Sequence, residues 1–113
     1  MPKELRKLVF DDTELKSAVY DYCLRNNVQI PKSGMEKIVA NDEDERFLVI
    51  QFYSEDENSP KEVALSRDQA GAALIKFCSA NDVPLPRTGQ KLLKVDGGEV
   101  SMMISIQRPT KKS

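Results

Sequence analysis

Two short stretches of the 113-residue chain gather side chains able to hold an anion: Lys32-Ser33-Gly34 after Pro31, and Arg87-Thr88-Gly89 after Pro86. In each, the cation supplies charge, the hydroxyl donates a hydrogen bond, and the glycine lets backbone N–H groups approach a phosphate closely. Neither has the Gly-x-x-x-x-Gly-Lys-Ser/Thr spacing of a nucleotide-binding loop, because no glycine stands five residues before Gly34 or Gly89. The same residues also read as plain turns, with proline fixing φ and glycine supplying a left-handed residue before the next strand.

Other chemistry finds little support. The chain has no histidine, which removes the commonest general base at neutral pH and the commonest metal ligand. Its two cysteines cannot form a structural zinc site alone. Cys23 and Cys78 fall within apolar helical stripes, where a thiol packs as a small hydrophobe. No Gly-x-Ser-x-Gly elbow occurs, and no serine precedes a lysine by three positions. The acidic run Asp42-Glu43-Asp44-Glu45 lacks the central glycine and terminal glutamate of a calcium loop and reads as a solvated hairpin loop. The expectation is a non-enzymatic protein without a metal or cofactor.

The elements that position these residues repeat. A shift of 55 positions places Tyr22-Cys23 on Phe77-Cys78, Asn26-Asn27-Val28 on Asn81-Asp82-Val83, and Ile30-Pro31-Lys32-Ser33-Gly34 on Leu85-Pro86-Arg87-Thr88-Gly89. Two such units are too few for a solenoid, so the pattern predicts one domain built from two related halves, about 5–55 and 60–107, with 108–113 as a frayed tail. Each half opens with a β-prone run, Leu8-Val9-Phe10 or Val63-Ala64-Leu65. Asp11 and Ser66 follow as helix N-caps, with Glu14 and Gln69 three residues on to complete capping boxes. Leu15, Ala18, Val19, Tyr22 and Cys23 mark one apolar stripe; Ala70, Ala73, Leu74, Phe77 and Cys78 mark its counterpart. Asn26 and Asn81 are placed to end the helices in a left-handed C-cap.

Two strands are predicted after each proline-glycine loop: Glu36 to Ala40 and Phe47 to Tyr53, then Lys91 to Val95 and Val100 to Ile106. The turn Asp96-Gly97-Gly98 suits positive φ, and Ser54 to Pro60 reads as an exposed connector. The expected fold is α+β: a two-layer sandwich in which a tandem strand-helix-strand-strand unit with pseudo-twofold symmetry forms a six-stranded, largely antiparallel sheet with both helices on one face.

Strand alternation then selects a surface. In the last strand, Val100, Met102, Ile104 and Ile106 share one face, and Ser101, Met103, Ser105 and Gln107 share a mostly exposed one. With Leu48, Ile50 and Phe52 turned to the helices, Phe47, Val49, Gln51 and Tyr53 point outward as a protein-interface candidate.

Net charge is −1, but residues 1–57 hold 8 Lys/Arg against 13 Asp/Glu and residues 58–113 hold 9 against 5. The halves are therefore −5 and +4. Arg87, Lys91, Lys94, Arg108, Lys111 and Lys112 are placed to form a basic end, or else the two halves attract each other. No apolar run is long enough to span a membrane, and the first residues lack a signal-peptide core, so the expectation is a soluble, cytoplasmic protein. The leading functional expectation is a small binding or adaptor module acting through protein–protein contacts, self-association included. The alternative is a nucleic-acid-associated protein that contacts phosphates through Lys32-Ser33-Gly34 and Arg87-Thr88-Gly89, with Lys91 and Lys94 beside them.

Overall fold

The computed structural model describes residues 3–30, 34–53, 62–86 and 89–107. Its order is β1 (Lys3–Phe10), α1 (Asp12–Arg25), β2 (Met35–Ala40), β3 (Leu48–Phe52), β4 (Glu62–Leu65), α2 (Arg67–Ala80), β5 (Gln90–Asp96) and β6 (Glu99–Gln107). The class is α+β, and both halves run strand, helix, strand, strand. The Ser54 to Pro60 connector and the 108–113 tail lie outside the described residues.

The helices start where their caps require. Asp11 Oδ1 accepts from the Glu14 N–H at 2.8 Å while Glu14 Oε1 accepts from the Asp11 N–H at 2.9 Å. Ser66 and Gln69 repeat the exchange, so two donors that the helix cannot satisfy are paired at each start. The ends also match, one residue later than expected. Asn26 and Asn81 keep negative φ, and the left-handed residues are Asn27 (φ 56°) and Asp82 (φ 57°). Val28 N–H donates to Cys23 O and Val83 N–H to Cys78 O, the bond of a Schellman ending, while the Asn26 and Asn81 side chains bond Tyr22 O and Phe77 O.

The strands do not form one six-stranded sheet. They form two three-stranded antiparallel sheets, ordered β1-β6-β5 and β2-β3-β4. In each, the last strand of one half is central, flanked by its hairpin partner and by the first strand of the other half. The physical reason for the separation lies at the free edge of β5. Leu93 O there accepts from Arg67, and the Val95 N–H reaches Asp42 Oδ2 at 3.5 Å, so side chains of the opposite sheet's loop and of α2 occupy edge groups that another strand would need. Arg67 also bonds Asp42 O at 2.9 Å and lies 4.6 Å over the Phe47 ring. The acidic loop is consequently docked as well as solvated. Asn41 and Asp44 further brace it by accepting from the Glu43 and Arg46 N–H groups.

One hydrophobic cluster serves the whole assembly. It joins Leu15, Val19 and Cys23 of α1, Leu74 and Cys78 of α2, Leu48 and Ile50 of β3, and Val100, Met102 and Ile104 of β6. Phe10 closes β1 against it and meets Phe77 edge-on, with ring centroids 6.3 Å apart.

Candidate functional site

Register assigns every strand residue to a face. In the β2-β3-β4 sheet, Leu48, Ile50 and Phe52 are buried, as alternation predicted. Val49 pairs with Val39 and Ala64, and Gln51 with Lys37 and Glu62, on the outward side. Tyr53, 57% exposed, follows β3, whereas Val49 and Gln51 are half-buried. Phe47 is not part of that surface. It precedes the ladder, is fully buried, and has the Arg67 guanidinium against its ring. The strand period stops applying where the chain enters the acidic loop. The outward face also mixes charges at close range, since Lys37 and Glu62 share a row and Glu62 pairs with Arg46 at 3.1 Å.

The proposed phosphate loops fall largely outside the described residues: Lys32, Ser33, Arg87 and Thr88 all do. Their glycines are described and differ. Gly34 has φ +89° and open space where a Cβ would stand, and its carbonyl accepts from the Tyr53 N–H. Gly89 has φ +116°, and a Cβ there would lie 2.9 Å from Ser105 O. Gly89 is therefore required by close backbone packing on β6. Lys91 and Lys94 stand on opposite faces of β5, because Lys91 pairs with buried Ile104 and Lys94 with Ser101. The structure does not bring them together.

Lys94 instead joins residues that the sequence reading did not select. On the outer face of the β1-β6-β5 sheet, register aligns Leu5 with Ser105 and Gln90, Lys7 with Met103 and Leu92, and Val9 with Ser101 and Lys94. Lys3 stands at the far end beside Gln107. Leu5 is 61%, Val9 46% and Leu92 50% exposed, and the three lysines are exposed as well. The central strand lies lower: Ser101 is buried and Met103 and Ser105 are half-buried, not mostly exposed as alternation alone suggested. A central strand has neighbours on both sides, and its small serines sit below their long side chains. The three aligned rows contain no carboxylate; Asp96 and Glu99 lie beyond them at the hairpin turn. The available signal was the alternation Lys3, Leu5, Lys7, Val9, obscured because Glu4 and Arg6 make the opposite side of the same strand polar too.

Other candidates are weaker. A groove of about 590 Å³ beside α1 is lined by Tyr20, Leu24, Ile30, Met35 and Phe52, but its cation, Lys16, is held by Asp12 at 3.0 Å and Glu36 O at 3.3 Å. Burial pushes the Cys23 thiol pKa up; burial, reinforced by the negative charge of Glu14, does the same to Cys78. Both thiols therefore sit further from the nucleophilic thiolate than an exposed cysteine. Among the described residues no group of three or more Cys, Asp or Glu could hold a metal ion, and no helix is long and apolar enough to cross a membrane. No family model matches the chain, and neither the curated proteins nor the solved structures contain a match.

Proposed function

We propose that the protein is a non-enzymatic binding module acting through protein–protein contact, and that its contact surface is the outer face of the β1-β6-β5 sheet. One observation carries the reading: Leu5, Val9 and Leu92 stand exposed among Lys3, Lys7 and Lys94, with the carboxylates of this face, Asp96 and Glu99, confined to its hairpin end. Apolar groups bordered by charge are the composition of a protein contact, in which burial supplies affinity and charge selects the partner. This replaces the Phe47-to-Tyr53 strand as the first surface, since Phe47 is covered and Glu62 on its sheet's outward face is already paired with Arg46.

The second reading is contact with nucleic-acid phosphates, favoured by the grouping of Lys94 with Lys3 and Lys7. The two readings separate in an affinity capture from native-host extract, with and without nuclease. A protein retained after nuclease by wild type and by Tyr53→Ser, but lost from Leu5→Ser/Leu92→Ser, supports the leading reading. Retention of the same proteins by the double variant, or retention that nuclease abolishes, removes it.

A further inference from the structure

We infer that the partner presents an acidic amphipathic helix of about four turns, laid along β6 on the outer face of the β1-β6-β5 sheet; this rests on the reading of that face as the contact surface. The face has the form of a trough. Its floor is Ser101, Met103 and Ser105, buried or half-buried, and its walls are Leu5, Lys7 and Val9 on one side and Gln90, Leu92 and Lys94 on the other, exposed in every case. The walls stand on strands two ladder spacings apart, about 10 Å. One helix, about 10 Å across with its side chains and lying over the walls rather than between them, covers that width. From Lys3 to Val9 the trough runs about 20 Å at 3.4 Å per residue, the length of about 14 helical residues at 1.5 Å each. Such a footprint is far below the ~800 Å² per partner of a standard contact between globular surfaces, so a single segment fits it better than a folded domain.

The walls also specify the segment's sides. Leu5, Val9, Met103 and Leu92 offer apolar contact along the trough, which an i, i+3, i+4, i+7 stripe would cover. Lys3 and Lys7 stand on one wall and Lys94 on the other, which calls for Asp or Glu on both sides of the helix along these rows, whereas Asp96 and Glu99 continue the same face past Lys94 and call for a neutral or basic helix end there. Single-stranded nucleic acid fits less well. Base stacking uses aromatic or guanidinium planes, and the described residues of this face include neither, while phosphates would leave exposed Leu5 and Leu92 uncovered.

The test uses the full chain, isotope-labelled, and a 16-residue peptide with leucine at helical i, i+3, i+4, i+7 spacing and glutamate elsewhere. A peptide of the same composition in scrambled order, a lysine-for-glutamate version and a 16-nucleotide deoxythymidine strand serve as comparisons. The inference expects saturable amide shifts at Leu5, Lys7, Val9, Leu92 and Lys94 with the amphipathic acidic peptide alone. It also expects at least a tenfold loss of affinity in Lys7→Glu/Lys94→Glu, with circular dichroism unchanged. Equal binding of the scrambled peptide, tighter binding of the oligonucleotide at the same salt, shifts on other elements, or no binding would each overturn it. The two readings are judged separately: captured protein lost from Leu5→Ser/Leu92→Ser while the acidic peptide is ignored overturns the helix and leaves the face standing, whereas retention of that protein by the double variant overturns the face.

Discussion

The two sheets are assembled alike and end up presenting different surfaces. Each takes a central strand and hairpin partner from one half and an outer strand from the other, and each turns its buried face to the shared core. Outward, the β2-β3-β4 sheet sets Lys37 against Glu62 in one row, and its β3–β4 ladder joins four residue pairs. The β1–β6 ladder joins eight, and the outward row positions of β1 alternate lysine with Leu or Val. The lesson is that the inward faces are constrained by a common core, whereas the outward faces are free to diverge. Divergence on an exposed face therefore carries more functional information than similarity on a buried one.

Matched substitutions test how far the likeness extends. The largest effects fall on the exchanged strands: Phe10→Ala should destabilise by about 3–5 kcal/mol and Leu65→Ala by about 2–5 kcal/mol, because each leaves a cavity under the other half's central strand. Urea unfolding should show one transition with an unchanged slope in both cases. Separate melting of the two sheets would break the comparison. Gly89→Ala should lose roughly 2–3 kcal/mol through positive φ and the clash with Ser105 O, and Gly34→Ala about 1 kcal/mol through φ alone. Equal losses would mean that the close approach on β6 relaxes.

Arg67→Met keeps an apolar stem over Phe47 but removes the bonds to Leu93 O and Asp42 O; it should lose about 2 kcal/mol and deprotect the Val95 amide in hydrogen exchange. Asp11→Ala and Ser66→Ala should each lose about 1 kcal/mol, since the two boxes have the same geometry. The smallest changes sharpen the surface contrast. Lys7→Ala and Lys37→Ala should both alter stability by less than about 0.5 kcal/mol, and only Lys7→Ala should weaken binding of the acidic peptide.

What was legible in the sequence was local. Both capping boxes, both apolar stripes and the Asp96-Gly97-Gly98 turn follow from neighbours within a few positions, and Gly97 (φ 59°) and Gly98 (φ 85°) confirm the turn. The helix ends were readable to within one residue because the asparagines bond back to the helix through their side chains. Strand partnership was not readable, because β1 meets β6 across most of the chain and nothing near Lys3 signals it. The same gap hid the outer face, whose rows exist only once Lys7, Met103 and Leu92 are brought side by side. Phe47 was misplaced for a different reason: alternation holds only within a ladder, and an arginine 20 positions away decides its environment.

The pairing of Lys3 with Gln107 leaves the two ends of the described chain adjacent, as β1 and β6 finish side by side. The order of the halves along the chain is therefore a convenience of connection and not a requirement of the fold. A circularly permuted protein that begins at β4 and rejoins β6 to β1 by a short link would keep every ladder. The native connection between β3 and β4 then acts as a tether, setting the effective concentration at which one half meets the other.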